Sequence, residues 1–291
     1  MSEARRIAIG IEYDGAAYAG WQSQASAPSV QGRIEIALSA VANSPINVTC
    51  AGRTDAGVHA IGQVAHFDTE VERSTRSWTL GANTHLPNDI CVLWAREVPS
   101  RFHARYSALV RTYRYLILNR PSRPALLRHR ACWIHRVLDE RRMAEAALHL
   151  LGEHDFSAFR AAECQSRTPV RRVEAIDVRR SGEYVCLDVR ANAFLHHMVR
   201  NIAGVLIEVG TGDAESGWVR AVLEGRDRTL GGVTAPPGGL YLLAVKYPPE
   251  FELPETGVAG SNDLSFMMPR LAGGPGPGPA PTPAPAPARQ R

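Results

Sequence analysis

Two glycines, Gly52 and Gly57, interrupt a strand-like part of the chain and leave one carboxylate, Asp55, between them. Ahead of them Ile46, Val48 and Cys50 alternate with polar residues; behind them Val64, His66 and Asp68 alternate against Gln63, Ala65 and Phe67. Period-two alternation marks an extended strand, and glycine breaks strand and helix alike. The stretch from Cys50 to Ala60 therefore predicts a connection between two strands with Asp55 on display. An ordinary turn also favours Asp and Gly, but it has no need of the flanking Arg53 and His59.

The rest of the chain supplies strands and helices in mixed order. Ile7 to Tyr13 alternates as a half-buried strand and ends at the turn Asp14-Gly15. Tyr18-Ala19-Gly20-Trp21-Gln22-Ser23-Gln24 is an aromatic loop with amide side chains, suited either to a nucleic-acid surface or to plugging the core. Ser29 is a helix N-cap, followed by Val30, Ile34, Leu38 and Val41 at helical spacing. A strand over 46–51, one over 62–68, a helical stretch through Trp78, Leu80 and Leu86, and a strand over 90–98 complete the first half. The second half opens with a long strand, 108–119, in which Arg111, Tyr113 and Tyr115 share one face. A cation and a ring on one strand face make an RNA-like surface. Asp139 caps a helix through Leu151; residues 152–167 read as irregular and polar. A hairpin over 173–191, helices over about 195–209 and 215–224, and a last strand over 241–247 follow. The segmentation is 1–105, 106–250 and a Gly/Pro/Ala-rich tail, 251–291, whose composition predicts disorder. Two α+β halves whose sheets join edge to edge leave a cleft between them.

Charge narrows the partners. The formal net charge is only +4, but nine arginines and no Asp or Glu lie between Arg101 and Arg136. Such a one-signed segment predicts a phosphate-binding face, and arginine suits bidentate phosphate contact and stacking. No run of eighteen apolar residues is present, so no membrane helix is expected. Met1 to Arg6 lacks the apolar run of a secretory signal. The five cysteines, Cys50, Cys91, Cys132, Cys164 and Cys186, form no CxxC pair, which fits reduced thiols in the cytoplasm.

Several chemistries drop out. No phosphate-binding glycine motif opens a helix, no HExxH appears, and no GxSxG elbow is present. His196 and His197 are adjacent, and adjacent residues on a helix point apart, so they are expected to make a poor metal pair. A carboxylate, arginines and a tyrosine remain. A neighbouring arginine favours an ionised carboxylate, which then serves as nucleophile or general base. Asp55 in a basic cleft points to attack on an electrophilic carbon of a nucleotide.

Ala51-Gly52-Arg53-Thr54-Asp55-Ala56-Gly57-Val58-His59 resembles the catalytic motif of the tRNA pseudouridine synthase A family. Glu12-Tyr13-Asp14-Gly15 with Gly20-Trp21-Gln22, Phe102-His103-Ala104-Arg105, Arg111-Thr112-Tyr113-Arg114-Tyr115, His154-Asp155-Phe156, Asn192 to Asn201, and Gly239-Leu240-Tyr241-Leu242 are similar to that family's other motifs, in its order. The resemblance covers about residues 6 to 250 and departs at Ala60, where a glycine is common. It implies a pseudouridine synthase fold, α+β, of two similar halves with mixed, mainly antiparallel sheets around a central catalytic cleft. It implies an isomerase that converts uridine to pseudouridine at positions 38, 39 and 40 of the tRNA anticodon stem-loop. It further implies a homodimer acting on tRNA in the cytoplasm, with no redox cofactor, metal, membrane or DNA partner. By the same resemblance Asp55 is the nucleophile, Tyr113 stacks on the target base and helps move the C5 proton, and Arg200 pairs with Asp55. Leu240 packs near the flipped base, and Arg53 fills the space the nucleotide leaves. Two other classes stay open from the residues alone. A non-catalytic RNA-binding module does not need Asp55 and Arg200 together. A nucleoside hydrolase generally wants a second carboxylate, and none is placed for it.

Overall fold

Backbone pairing between the two ends of the chain builds the frame. A computed structural model describes residues 4–24 and 26–254. The first half contributes β1 (Arg5–Tyr13), β2 (Thr49–Cys50), β3 (His59–Thr69) and β4 (Ile90–Val98). The second contributes β5 (Val110–Asn119), β6 (Cys132–Ile134), β7 (Gly152–Asp155), β8 (Val170–Ser181), β9 (Tyr184–Ala191) and β10 (Leu240–Lys246). All belong to one sheet in the order β4-β1-β3-β10-β5-β9-β8-β7, with β2 on β3 and β6 on β5.

The last strand is the joint. β10 runs parallel to β3, with Tyr241 opposite His59, and antiparallel to β5, with Leu242 opposite Tyr113. The halves drawn at 105/106 therefore share backbone hydrogen bonds, and both lie within one compact unit, Met1–Ala259. Apart from the parallel β10–β3 and β5–β6 pairs, the neighbours are antiparallel. The fold is mixed α+β.

Helices form where the periodicity and caps ask for them. α1 (Val30–Ala42) starts at Ser29, whose side chain accepts the Gly32 N–H, and ends at Asn43 in a left-handed conformation, φ 54°. It buries Val30, Ile34, Ala37, Leu38 and Ala42. α2 (Ala82–His85) follows a π-helical turn at Ser77–Gly81 that buries Trp78. α3 (Glu140–Ala147) is capped by Asp139 and continues as a tight turn, Leu148–Leu150. α4 (Met198–Thr211) and α5 (Ser216–Gly225) complete the set.

Four expectations change. The strand over 46–51 contracts to Thr49–Cys50, because alternation records which side chains face the core and not which backbone groups are paired. The polar segment 152–167 contains an edge strand, β7, whose residues Gly152, Glu153, His154 and Asp155 give no alternating signal. The Arg111–Tyr113–Tyr115 face is not a surface: all three are buried, as is Arg114 on the opposite face, where Asp188 holds it. Lastly, order extends past 250. Phe251 is buried against Phe102, with ring centroids 5.1 Å apart, and the Arg101 guanidinium lies 5.7 Å from its ring. Residues 255–291, the bulk of the expected tail, lie outside the described residues.

His66 links the sheet to the segment connecting the halves. It sits on β3 opposite Ala8, and its Nδ1 accepts the Ala104 N–H at 3.2 Å. Burial, then the nearby Arg6 guanidinium, push it down to about 4. Between its ordinary pKa near 6.5 and that value the unfolded chain binds the extra proton, so stability falls as pH drops through this window. Lowering the pH from 7.5 to 5 is expected to cost wild type about 2 kcal/mol more than His66→Gln, read from urea midpoints. Parallel loss in both proteins would remove His66 as the cause.

Candidate active site

The Asp55 loop is clamped from three sides. Ala51 N–H reaches the Val64 carbonyl at 2.7 Å, and the Gln63 amide donates to the Gly52 carbonyl at 2.7 Å. The N-terminal aromatic loop closes over it: Trp21 N–H donates to the Thr54 carbonyl (3.0 Å), and Gly57 N–H to the Tyr18 carbonyl (3.3 Å). The Tyr13 and Thr54 hydroxyls meet at 2.7 Å. Tyr18 and Trp21 are thus core plugs, both buried. This close approach demands glycine at 20: φ is +99°, and a Cβ there would sit 2.7 Å from the Thr54 carbonyl oxygen. Val58 N–H closes the turn on the Asp55 carbonyl at 3.1 Å, with Gly57 at φ +76°. That is the positive φ a type II turn needs at its third residue. Asp55 stands just before this tight corner.

The opposing wall comes from the loop ahead of α4. Arg200, in the first turn of α4, places Nη1 3.0 Å from Asp55 Oδ2, while its Nε donates to the Ala235 carbonyl at 2.9 Å. Two anchors fix the guanidinium plane, so the carboxylate meets a cation of set orientation. The helix begins at Met198, not at 195, and His196 and His197 precede it. His197 adopts φ +64°, a conformation rare outside glycine. That twist turns both rings the same way. Their centroids are 4.1 Å apart, and their Nε2 atoms lie 3.3 and 3.4 Å from Asp55 Oδ1 and Oδ2 respectively. The helical argument that they point apart fails because they are not on the helix; no periodicity in the sequence marks them. Burial lowers the pKa of His197, which favours the neutral ring.

The ligand atoms of Asp55, His196 and His197 all fall within 4.8 Å of one another, a spacing that can hold a metal ion. Arg200 on the same carboxylate argues against that use: a divalent cation would add to a charge that already neutralises Asp55. The donor set fits a carboxylate held in place better than a metal ligand set.

Tyr113 and Leu240 approach from the sheet. The Tyr113 hydroxyl faces Gly52, 3.8 Å from where a Cβ would stand, and its ring meets Phe194 edge-on at 5.0 Å. Burial raises its pKa, with the Arg111 charge opposing and Asp55 adding to the rise, so the phenol keeps its proton at neutral pH. Leu240 opens β10, the strand between those of the Asp55 loop and of Tyr113. Arg53 is exposed and makes no ion pair among the described residues.

Behind the site lies Arg111. Its two terminal nitrogens donate to four main-chain carbonyls: Asn192 (2.8 Å), Ala108 (3.3 Å), Ala51 (3.0 Å) and Arg105 (2.7 Å). One buried cation thus ties the Asp55 loop to the loop carrying His196. The one-signed arginine segment dissolves in three dimensions. Arg101, Arg114, Arg120, Arg130 and Arg136 find Glu250, Asp188, Glu183, Asp14 and Asp213. Only Arg105, Arg123 and Arg128 of that segment lack both an acid and a carbonyl cage among the described residues. A separate cavity of about 470 Å³, lined by His149, His154, Arg220 and Arg226 among others, shares no residue with the Asp55 cluster.

A family model described as tRNA pseudouridine synthase matches residues 9–107 and 146–248. The chain is 60% identical over 253 residues to the tRNA pseudouridine synthase A of Methylococcus capsulatus, covering 87% of this chain and 93% of that protein. It is 59% identical over 249 residues to that of Coxiella burnetii (86% and 95%) and 57% identical over 251 residues to that of Pseudomonas aeruginosa (86% and 88%). Among solved structures, a Cbf5-Nop10-Gar1 complex aligns at 12% identity and TM-score 0.37, over 81% of this chain and 48% of that one, too loose a likeness to argue from.

Arg111→Met would leave four carbonyls without their donor. At about 1–3 kcal/mol for a buried polar group left unpaired, the variant is expected to lose at least about 3 kcal/mol, read by urea unfolding. A loss below about 1 kcal/mol would mean that water replaces the guanidinium and that the tie is not structural.

Proposed function

This chain belongs to the tRNA pseudouridine synthase family and isomerises uridine to pseudouridine in tRNA, and we propose that its targets are uridines 38, 39 and 40 of the anticodon stem-loop, with Asp55 as the nucleophile. The observation that carries this reading is the Asp55 carboxylate, on a loop of the first half, held at 3.0 Å against Arg200, in the first turn of α4 in the second. A fixed, partly buried carboxylate with a cation behind it is a nucleophile poised for the electrophilic carbon of a nucleotide.

The reaction breaks the bond from ribose C1′ to uracil N1, turns the base, and joins C1′ to C5. The proton at C5 leaves and N1 gains one, so no redox partner enters. A stacked or paired uridine hides these atoms, and extruding it costs a few kcal/mol that contacts to RNA offset. Arg53, two residues from Asp55 and free of an acidic partner, takes the vacated space in the stem. Tyr113 stacks on the extruded base; its neutral phenol relays the C5 proton by accepting and donating at one oxygen. Leu240 packs against the base. Dimerisation, a cytoplasmic location, tRNA as the sole nucleic-acid partner and chemistry without metal or cofactor belong to the same reading. Among the described residues no helix is long and apolar enough to cross a membrane.

Asp55→Asn keeps the shape of the loop and removes the nucleophile. Pseudouridine formation in unmodified tRNA transcripts, mapped base by base, is expected to fall by about a thousandfold or more, ~4 kcal/mol, with tRNA binding retained. Product at other uridines from wild type would move the substrate site, and full activity in the variant would remove Asp55 as nucleophile.

A further inference from the structure

The turn that joins the two halves carries a ring that the proposed chemistry leaves unused. Tyr106 is 76% exposed, while the other seven tyrosines are buried or half-buried. Its hydroxyl makes no hydrogen bond among the described residues. A large exposed aromatic usually drapes over apolar surface; this one stands against His103, with centroids 4.3 Å apart and planes 35° apart. Arg105 lies beside it, its guanidinium carbon 5.6 Å from the ring centre. That is a cation–π distance, yet the residue stays 76% exposed and leaves ring surface open to a further partner.

The turn is rigid. His103 Nδ1 accepts the N–H groups of both Arg105 (3.1 Å) and Tyr106 (3.2 Å), and the Ser107 hydroxyl accepts the His103 N–H at 3.0 Å. Ala104 is pinned on both sides, its N–H to His66 and its carbonyl to the Tyr247 hydroxyl at 2.6 Å. Little ordering is left for a ligand to impose, which favours binding. The turn also lies next to the Asp55 loop: one nitrogen of Arg111 binds the carbonyls of Arg105 and Ala51 together. Arg53 and Arg105 both lie close enough to act electrostatically on the Cys50 thiol.

We propose that Tyr106, braced by His103 and accompanied by Arg105, is a stacking and phosphate subsite for an unpaired tRNA nucleotide next to the one being modified. This rests on the reading given under Proposed function. A ring offers a face to any unstacked base, and a neighbouring guanidinium takes the phosphate. Bases within an intact duplex have both faces covered, so the partner is a nucleotide unstacked in the loop or beside the extruded uridine.

The test uses the full-length protein and an unmodified tRNA transcript. Kd is measured at several salt concentrations, with single-turnover pseudouridine formation at saturating enzyme and sedimentation of each protein. Tyr106→Ala is expected to weaken Kd about tenfold with the saturating rate unchanged, and Tyr106→Trp to restore it. Arg105→Ala is expected to lower the slope of log Kd against log salt by about one. Wild-type Kd in Tyr106→Ala, failure of Tyr106→Trp to rescue, or loss of binding that tracks loss of a dimer would each overturn the subsite. Tyr106-dependent binding by a wild-type protein that makes no pseudouridine would keep the subsite and remove the proposed function instead.

Discussion

Asp55 and Arg200 are 145 residues apart in the chain and 3.0 Å apart in space. A partly buried ion pair is stabilising only when its geometry is held and its remaining donors and acceptors are met. Much of the architecture can be read as meeting that condition. β10 inserts between β3 and β5 and fixes the spacing of the two halves. Ala235, a few residues ahead of β10, holds the second edge of the Arg200 guanidinium. On the other side the aromatic N-terminal loop seals the Asp55 turn, at the expense of requiring glycine at 20.

Arginine plays three distinct parts here, and charge alone does not separate them. Arg111 acts as a multi-pronged donor inside the protein, joining loops through carbonyls and needing no acid. Arg114 closes a bidentate pair with Asp188 across neighbouring strands. Arg53 and Arg105 remain uncompensated beside the Asp55 loop. Two of the cations available to RNA therefore sit at the mouth of the site, while others, Arg123 and Arg128 among them, lie elsewhere on the chain. A net charge of +4 spread evenly would give little steering.

Much of this was legible in the sequence because the signals were local. Ser29 and Asp139 announce helix starts through side-chain caps, and Gly52 and Gly57 announce the exposed turn. Arg111, Tyr113 and Tyr115 share a face, as period two requires; that the face is covered depends on the loops at 51 and 192–194 and on Pro236 ahead of β10, which no local pattern records. The pairing of Arg200 with Asp55 was legible only through resemblance, since long-range contacts leave no periodicity. His196 and His197 were misjudged for a similar reason: the left-handed backbone at His197 delays the helix start to Met198, so both rings lie ahead of it and come together. Phe251 lies in a stretch whose composition reads as tail, yet its ring completes a cluster with Phe102 and Tyr247.

The central claim is that Arg200 serves the chemistry by holding Asp55, and not by gripping RNA. Single-turnover pseudouridine formation by Arg200→Gln, with tRNA Kd measured on the same protein, tests it most directly. The account predicts that the saturating rate falls by about a hundredfold, ~2.7 kcal/mol, while Kd stays within about twofold of wild type. A weakened Kd with an unchanged saturating rate would contradict it and make Arg200 a phosphate contact.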